Sequence, residues 1–131
     1  MTRWKIDPAH LPAGFRYPRA FDHLLEREMV RLWNFCVLEA EDAWERMAGM
    51  RRRYPTRLLV PFAKDGRSDD VACFEHGSGP GFTAHRVVLV DDHAPPGFED
   101  CGSHPDLLGW LRDTLAEALI DLEMEIAHDG P

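Results

Sequence analysis

An α+β fold is predicted by the order in which hydrophobic patterns follow one another along the chain. Helical spacing dominates residues 22–53, strand-like runs separated by turn residues fill 57–92, and a leucine-spaced segment begins at 105. Helices first, an antiparallel meander next and a long helix packed on the sheet last is an α+β order; a parallel α/β sheet would alternate strand with helix. At 131 residues the chain is expected to form a single domain spanning 1–131. A domain of that length buries roughly 68–70% of the surface its unfolded form exposes.

Residues 1–20 hold Trp4, Phe15 and Tyr17 among prolines and glycines, which predicts an extended aromatic arm laid over the domain. Asp22 is a good N-cap residue, and Leu25, Met29 and Leu32 follow at helical spacing. The bulky stretch WNFCVL predicts a break or short strand. EDAWERMAGMRRR resumes a helix with Ala43, Trp44 and Met47 inward, and its closing Arg51, Arg52 and Arg53 suit the negative end of a helix dipole. Tyr54-Pro55 stops it, because the residue before proline is pushed out of the helical region.

Three strands are expected next: RLLVPFA, DVACFEH and TAHRVVLVDD. Pro61 places the first at an edge or a bulge. Asp65-Gly66 marks a hairpin connection, and the glycines of GSGPGF turn the chain. HAPPGFEDCG reads as a loop, with Ser103 in an N-cap neighbourhood and Pro105 in a first helical turn. The last helix is expected over 105–127, with Leu107, Leu108, Leu111, Leu115, Leu119 and Leu122 facing the core.

Net charge is −8 and unevenly spread: residues 1–90 carry 14 Lys/Arg against 12 Asp/Glu, whereas 91–131 carry 11 acids and only Arg112. A field of that sign repels nucleic acid and anionic membranes and steers basic partners inward. Three cysteines, Cys36, Cys73 and Cys101, make no disulfide framework. With no apolar run of signal-peptide or membrane-span length, the chain is expected in the cytoplasm.

Several constellations carry candidate chemistry. Cys73-Phe-Glu-His76 and Cys101-Gly-Ser-His104 offer four ligands of zinc type, but alternation along a strand would send Cys73 and His76 to opposite faces. No metal or cofactor is therefore assigned. Asp69, Asp70, Asp91, Asp92 and His93 are the residues a small metal-dependent hydrolase would use, through oxygen ligands for a divalent cation. Against this, adjacent acids diverge on a strand, and Asp69 reads more simply as a turn former. His85 reads as an ordinary strand histidine. No catalytic residue is assigned. In the last helix Asp113, Glu117, Asp121 and Glu125 recur every four residues, a spacing at which like charges destabilise by roughly 0.2–0.5 kcal/mol per pair. Beside that ladder runs a second apolar seam, Ala116, Ile120 and Met124. Either the arm or the first helix covers it, or it is an acid-rimmed patch for a basic partner or a second copy of the chain.

The run YPTRLLVPFAKDGRSDDVACFE, then VVLVDDHAPPGFED and the helix segment WLRDTLAEAL, resembles the SUKH superfamily, which includes Smi/Knr-like fungal cell-wall regulators and many bacterial immunity proteins. The resemblance covers about residues 54–119 and rests on structural motifs: an aliphatic-Pro-Phe-Ala strand, an Asp-bearing hairpin, a strand with the Cys-Phe-Glu run, and a Trp-bearing last helix. Asp70 fits the family's acid, while GRSDD departs from the usual hairpin and leaves the role of Asp69 open. The resemblance implies a non-catalytic protein-binding domain of immunity type, neutralising a cognate toxin. With the charge asymmetry, it points to Asp69, Asp70, Asp91, Asp92, Glu99 and Asp100 as the surface that meets a basic toxin domain.

Overall fold

The computed structural model describes residues 3–32, 34–66, 68–77 and 85–129. Its elements are α1 (Arg19–Glu26), β1 (Arg31–Leu32), β2 (Phe35–Val37), α2 (Ala40–Arg53), β3 (Leu58–Asp65), β4 (Asp70–His76), β5 (Val87–Asp91), β6 (Asp100–His104) and α3 (Leu107–Asp129). The strands form one antiparallel sheet in chain order from β1 to β6. This is an α+β fold, with the long helix after the strands.

Both faces of the sheet are covered, and the alternation of β4 shows how. Cys73 lies under α2, its Sγ 3.9 Å from Met50 Sδ, and is completely buried. Burial raises its thiol well above the ordinary range. Phe74 points the other way, into an aromatic layer built by the arm and α1. It stacks on Phe62 at 4.2 Å and meets Phe21 at 5.8 Å and Tyr17 at 6.1 Å. Trp110 of α3 extends the layer, edge-on to Phe35 at 5.0 Å and Phe62 at 5.2 Å. Strands buried on both faces read as continuous hydrophobic runs instead of alternating ones, which is the pattern of LLVPFA and VACF.

The segment before α1 packs against the core through Ile6, Phe15 and Tyr17. Ile6 is buried and its N–H donates to Tyr17 Oη at 3.0 Å; burial pushes the Tyr17 hydroxyl up to about 12. Residues 8–10 form a 3₁₀ turn, and Ala40 N–H reaches back to Arg3 O at 2.7 Å, tying the arm to the start of α2.

Several expectations are corrected. α1 starts at Arg19, directly after Pro18, and not at Asp22, which lies inside the helix and ion-pairs with Lys5. It ends before Met29, because Glu28 adopts a left-handed φ of 58°. Leu32, expected in the helix, instead lies in β1 and pairs with Phe35, while Phe35–Val37 form the short strand expected in WNFCVL; Trp33 lies outside the described residues. In α2, Ala43 and Met47 are buried but Trp44 is 42% exposed, one residue round the helix from that face, with His10 against its ring at 4.6 Å. Of the two settings expected for Pro61, an edge or a bulge, the structure shows the bulge: β3 is a central strand and its register shifts between Pro61 and Ala63. The third expected strand begins only at Val87, after His85 at φ 63°; the glycine-rich turn at 78–82 lies outside the described residues. Residues 100–104, expected as loop, pair with β5 as the edge strand β6.

The largest correction concerns α3. Of the leucine stripe, Leu107 is buried and Leu111 half-buried, while Leu108, Leu115, Leu119 and Leu122 are exposed. The face they would cover is already filled by the arm and α1. The helix is anchored at its first two turns, where Asn34 Nδ2 donates to Thr114 O at 2.6 Å. No described helix is long and apolar enough to cross a membrane.

Because Phe74 touches four aromatic rings, Phe74→Ala should cost about 3–5 kcal/mol of folding stability, read as a lowered midpoint in urea unfolding. A loss under about 1 kcal/mol would mean the aromatic layer is not the core of the fold.

Candidate functional site

Glu75 creates the main electrostatic problem of the structure. It lies on β4, under the same helix-covered face as Cys73, and is 6% exposed. A carboxylate there needs cations or hydrogen-bond donors to replace water. Arg57, just before β3, supplies a two-pronged bond, Nε to Oε2 at 2.8 Å and Nη2 to Oε1 at 2.9 Å. Arg86 adds a longer contact at 3.4 Å. The remaining Arg57 nitrogen, Nη1, reaches Glu99 Oε2 at 3.0 Å and Asp100 Oδ1 at 2.7 Å. One guanidinium therefore joins β3, β4 and the start of β6, and these carboxylates hold its pKa far above the ordinary arginine value.

A parallel arrangement fixes the loop after β5. Asp92, 8% exposed, ion-pairs with Arg53 at the end of α2. The Tyr54 hydroxyl lies 2.8 Å from Ala94 O and 3.1 Å from Asp91 O. Glu99 also accepts Gly97 N–H at 2.7 Å. Burial pushes the Glu99 carboxyl upward, but its own backbone N–H, Arg57 and Gly97 N–H outweigh that and hold it below its ordinary value of 4.5.

The six acids of the expected surface thus divide. Asp92 and Glu99 turn inward onto arginines. Asp69, Asp70, Asp91 and Asp100 stay at one end of the sheet. Asp70 and Asp91 face each other in register across β4 and β5, and neither forms an ion pair among the described residues. Like charges directly opposite one another destabilise a sheet. Their field and burial both raise the nearby Cys101 thiol, burial contributing most. Asp91 Oδ1 accepts His93 N–H at 3.0 Å, closing the turn. Asp69, with 80% of its side chain exposed, sits 3.8 Å from Lys64 Nζ. Asp100 is 62% exposed beyond its bond to Arg57.

Beside these acids stands a residue that sequence reading passed over. The turn 95–98 is closed by Phe98 N–H on Pro95 O at 3.0 Å, with Gly97 at φ 96°, a conformation that favours glycine. The turn lifts Phe98 to 77% exposure. Its signal in the sequence was the PPGF run itself, a rigid turn ending in an aromatic between acids. Arg57 and Glu75 were also missed as a pair; an acid inside the apolar run VACFEH was the clue that a buried cation must exist.

The carboxylates do not gather into a reactive hollow. Asp92 is engaged by Arg53, Asp69 points outward, and His93 is exposed. Among the described residues no three His, Cys, Asp or Glu side chains are placed to share a metal ion. Of the two Cys–His pairs, Cys73 and His76 lie on opposite faces, His76 packing edge-on to Phe15 at 6.0 Å. His104 Nδ1 lies 3.2 Å from Asp113 Oδ2. His85 holds the arm, its Nε2 2.8 Å from Arg16 O. No protein-family model, curated protein or solved structure matches the chain.

Two outcomes test this electrostatic frame. Arg57→Ala leaves Glu75 only the longer Arg86 contact and removes the cation from Glu99, and breaking such a buried arrangement costs about 3–5 kcal/mol; Arg57→Lys should recover only part of it in urea unfolding, for lack of the two-pronged geometry. Glu99 has a lowered pKa in the folded state, so its contribution is fully present above pH 4.5 and is lost as pH falls through its lower folded value. Glu99→Gln should therefore flatten the fall of stability with acid in that window. An unchanged slope would separate Glu99 from the acid sensitivity of the fold.

Proposed function

We propose that the chain is a non-catalytic protein-binding domain of SUKH type, acting as an immunity protein that neutralises a cognate toxin through an acidic surface. The observation that carries this reading is Phe98, an aromatic raised into solvent on a rigid turn beside Asp91 and Asp100. Exposed aromatics ringed by charge are what protein interfaces use as anchors. The Asp70–Asp91 pair, which has no ion-pair partner among the described residues, adds to it, since a like-charge pair is a cost to the fold that a basic partner would relieve. The binding surface comprises Asp69, Asp70, Asp91, Asp100 and Phe98, with Asp92 and Glu99 behind it as supports. A basic toxin domain, such as a nuclease, is the partner this surface suits.

The test pairs the chain with the C-terminal domain of the protein encoded by the adjacent gene. That domain alone should arrest growth, and co-expression with this chain should relieve the arrest. Phe98→Ala should weaken the complex by about tenfold or more in calorimetry without lowering folding stability, because the side chain is exposed. Asp69→Lys with Asp70→Lys should slow association and flatten its dependence on salt. Arrest that persists, with no complex in calorimetry, overturns the reading.

A further inference from the structure

α3 is apolar on more than one side, and the fold uses that only at its base. Its 23 residues extend about 35 Å at the rise of an α-helix. Leu107 and Trp110 are buried, whereas no residue from Leu115 to Asp129 is. Leu115, Leu119, Leu122 and Ile126 fall on one seam at 100° per residue, and Ile120 and Met124 on another roughly opposite. All six are between 40% and 67% exposed. A helix apolar on several sides normally lies buried, and contiguous apolar surface of this kind marks an interaction site.

Charge decides between the occupants. α3 carries six acids, Asp113, Glu117, Asp121, Glu123, Glu125 and Asp129, against the single base Arg112 at its root. Glu123 lies between the two seams on one side of the helix, and Glu117, Asp121 and Glu125 line the other. Two copies packed along α3 would set these rows against each other, and juxtaposed like charges cost several kcal/mol. The helix also keeps Glu123, Glu125 and Asp129 at its negative end, where its own dipole disfavours acids. A cationic partner with an apolar side would satisfy both the seams and Glu123, Glu125 and Asp129 at the far end of the helix.

We propose that residues 115–129 of α3 are the docking surface for a basic amphipathic helix of another protein. Its apolar side lies against Leu115, Leu119, Leu122 and Ile126, and its Lys and Arg side chains against the flanking acids, in the helix-against-helix mode of peptide recognition. The residues of this surface are other than the strand-end acids, and the proposal does not rest on their role.

The experiment uses the full chain and three labelled synthetic helical peptides in fluorescence anisotropy: an amphipathic Leu/Lys peptide, its Leu/Glu counterpart with the same apolar side, and a Leu/Lys peptide of scrambled order. The amphipathic Leu/Lys peptide should bind at least about tenfold tighter than either of the others, since one buried leucine side chain contributes that much. Leu119→Asn with Leu122→Asn should weaken it by a similar factor, while Glu45→Gln, exposed on α2, should leave it unchanged. Glu123→Lys with Glu125→Lys should narrow the preference for the Leu/Lys over the Leu/Glu peptide. That variant improves the charge at the helix C-terminus, so lost binding in it cannot come from a lost helix. Equal binding of the three peptides, or binding indifferent to the α3 substitutions, overturns the proposal. So does a chain that sediments as a dimer and is returned to monomer by Leu119→Asn with Leu122→Asn, since the occupant is then a second copy.

Discussion

A strand covered on both faces leaves its polar groups no water to turn to, and Glu75 is where this constraint bears hardest. The strand β4 is apolar from Val71 to Phe74, then places a carboxylate under α2, where only paired charge is tolerated. Arg57 answers it with its planar, forked guanidinium, and the geometry that holds Glu75 leaves one nitrogen aimed at Glu99 and Asp100. The same contact therefore fixes the start of β6 and the loop before it. A lysine would carry the charge but not the fork. The position of the Phe98 turn follows from this pairing, because Glu99 grips Gly97 N–H with its other oxygen.

The opposite face of the sheet is held by aromatic packing. Phe62 and Phe74 stack at 4.2 Å, and the arm, α1 and the root of α3 each contribute rings that meet them edge-on. Edge-to-face contacts of this kind add to the stabilisation from area alone. They also explain why a segment as rich in proline as the arm is ordered: Tyr17 is both a ring in the layer and the acceptor for Ile6 N–H. With that face filled by shorter elements, α3 is seated through its root, at Leu107, Trp110, Leu111 and Thr114, and its remaining residues are not buried.

Structure and charge then meet at the surface. The basic residues with buried roles, Arg53 and Arg57, are engaged by Asp92, Glu75 and Glu99, and Asp70 and Asp91 at the sheet end are left without an ion pair among the described residues. In α3 the acids are set beside apolar seams that the fold does not cover. Both features lower the stability of the isolated chain, and both would be relieved by a basic partner.

The sequence by itself determined the α+β class, the order of the elements, the Asp65-Gly66 hairpin and the end of α2 at Tyr54-Pro55, because these depend on local period and on backbone-restricting residues. It also carried the opposed faces of Cys73 and His76, which follow from strand alternation alone. What it could not decide was set by contacts between distant segments. β6 has no strand-like composition, DCGSH, and is a strand only because β5 offers it an edge. Which acids face outward depended on Arg53 and Arg57, about 40 residues away along the chain. The leucine period of α3 announced an apolar helix correctly. Whether the domain had room for it on the sheet was a matter of volume already occupied by the arm and α1, and no period in the sequence encodes that.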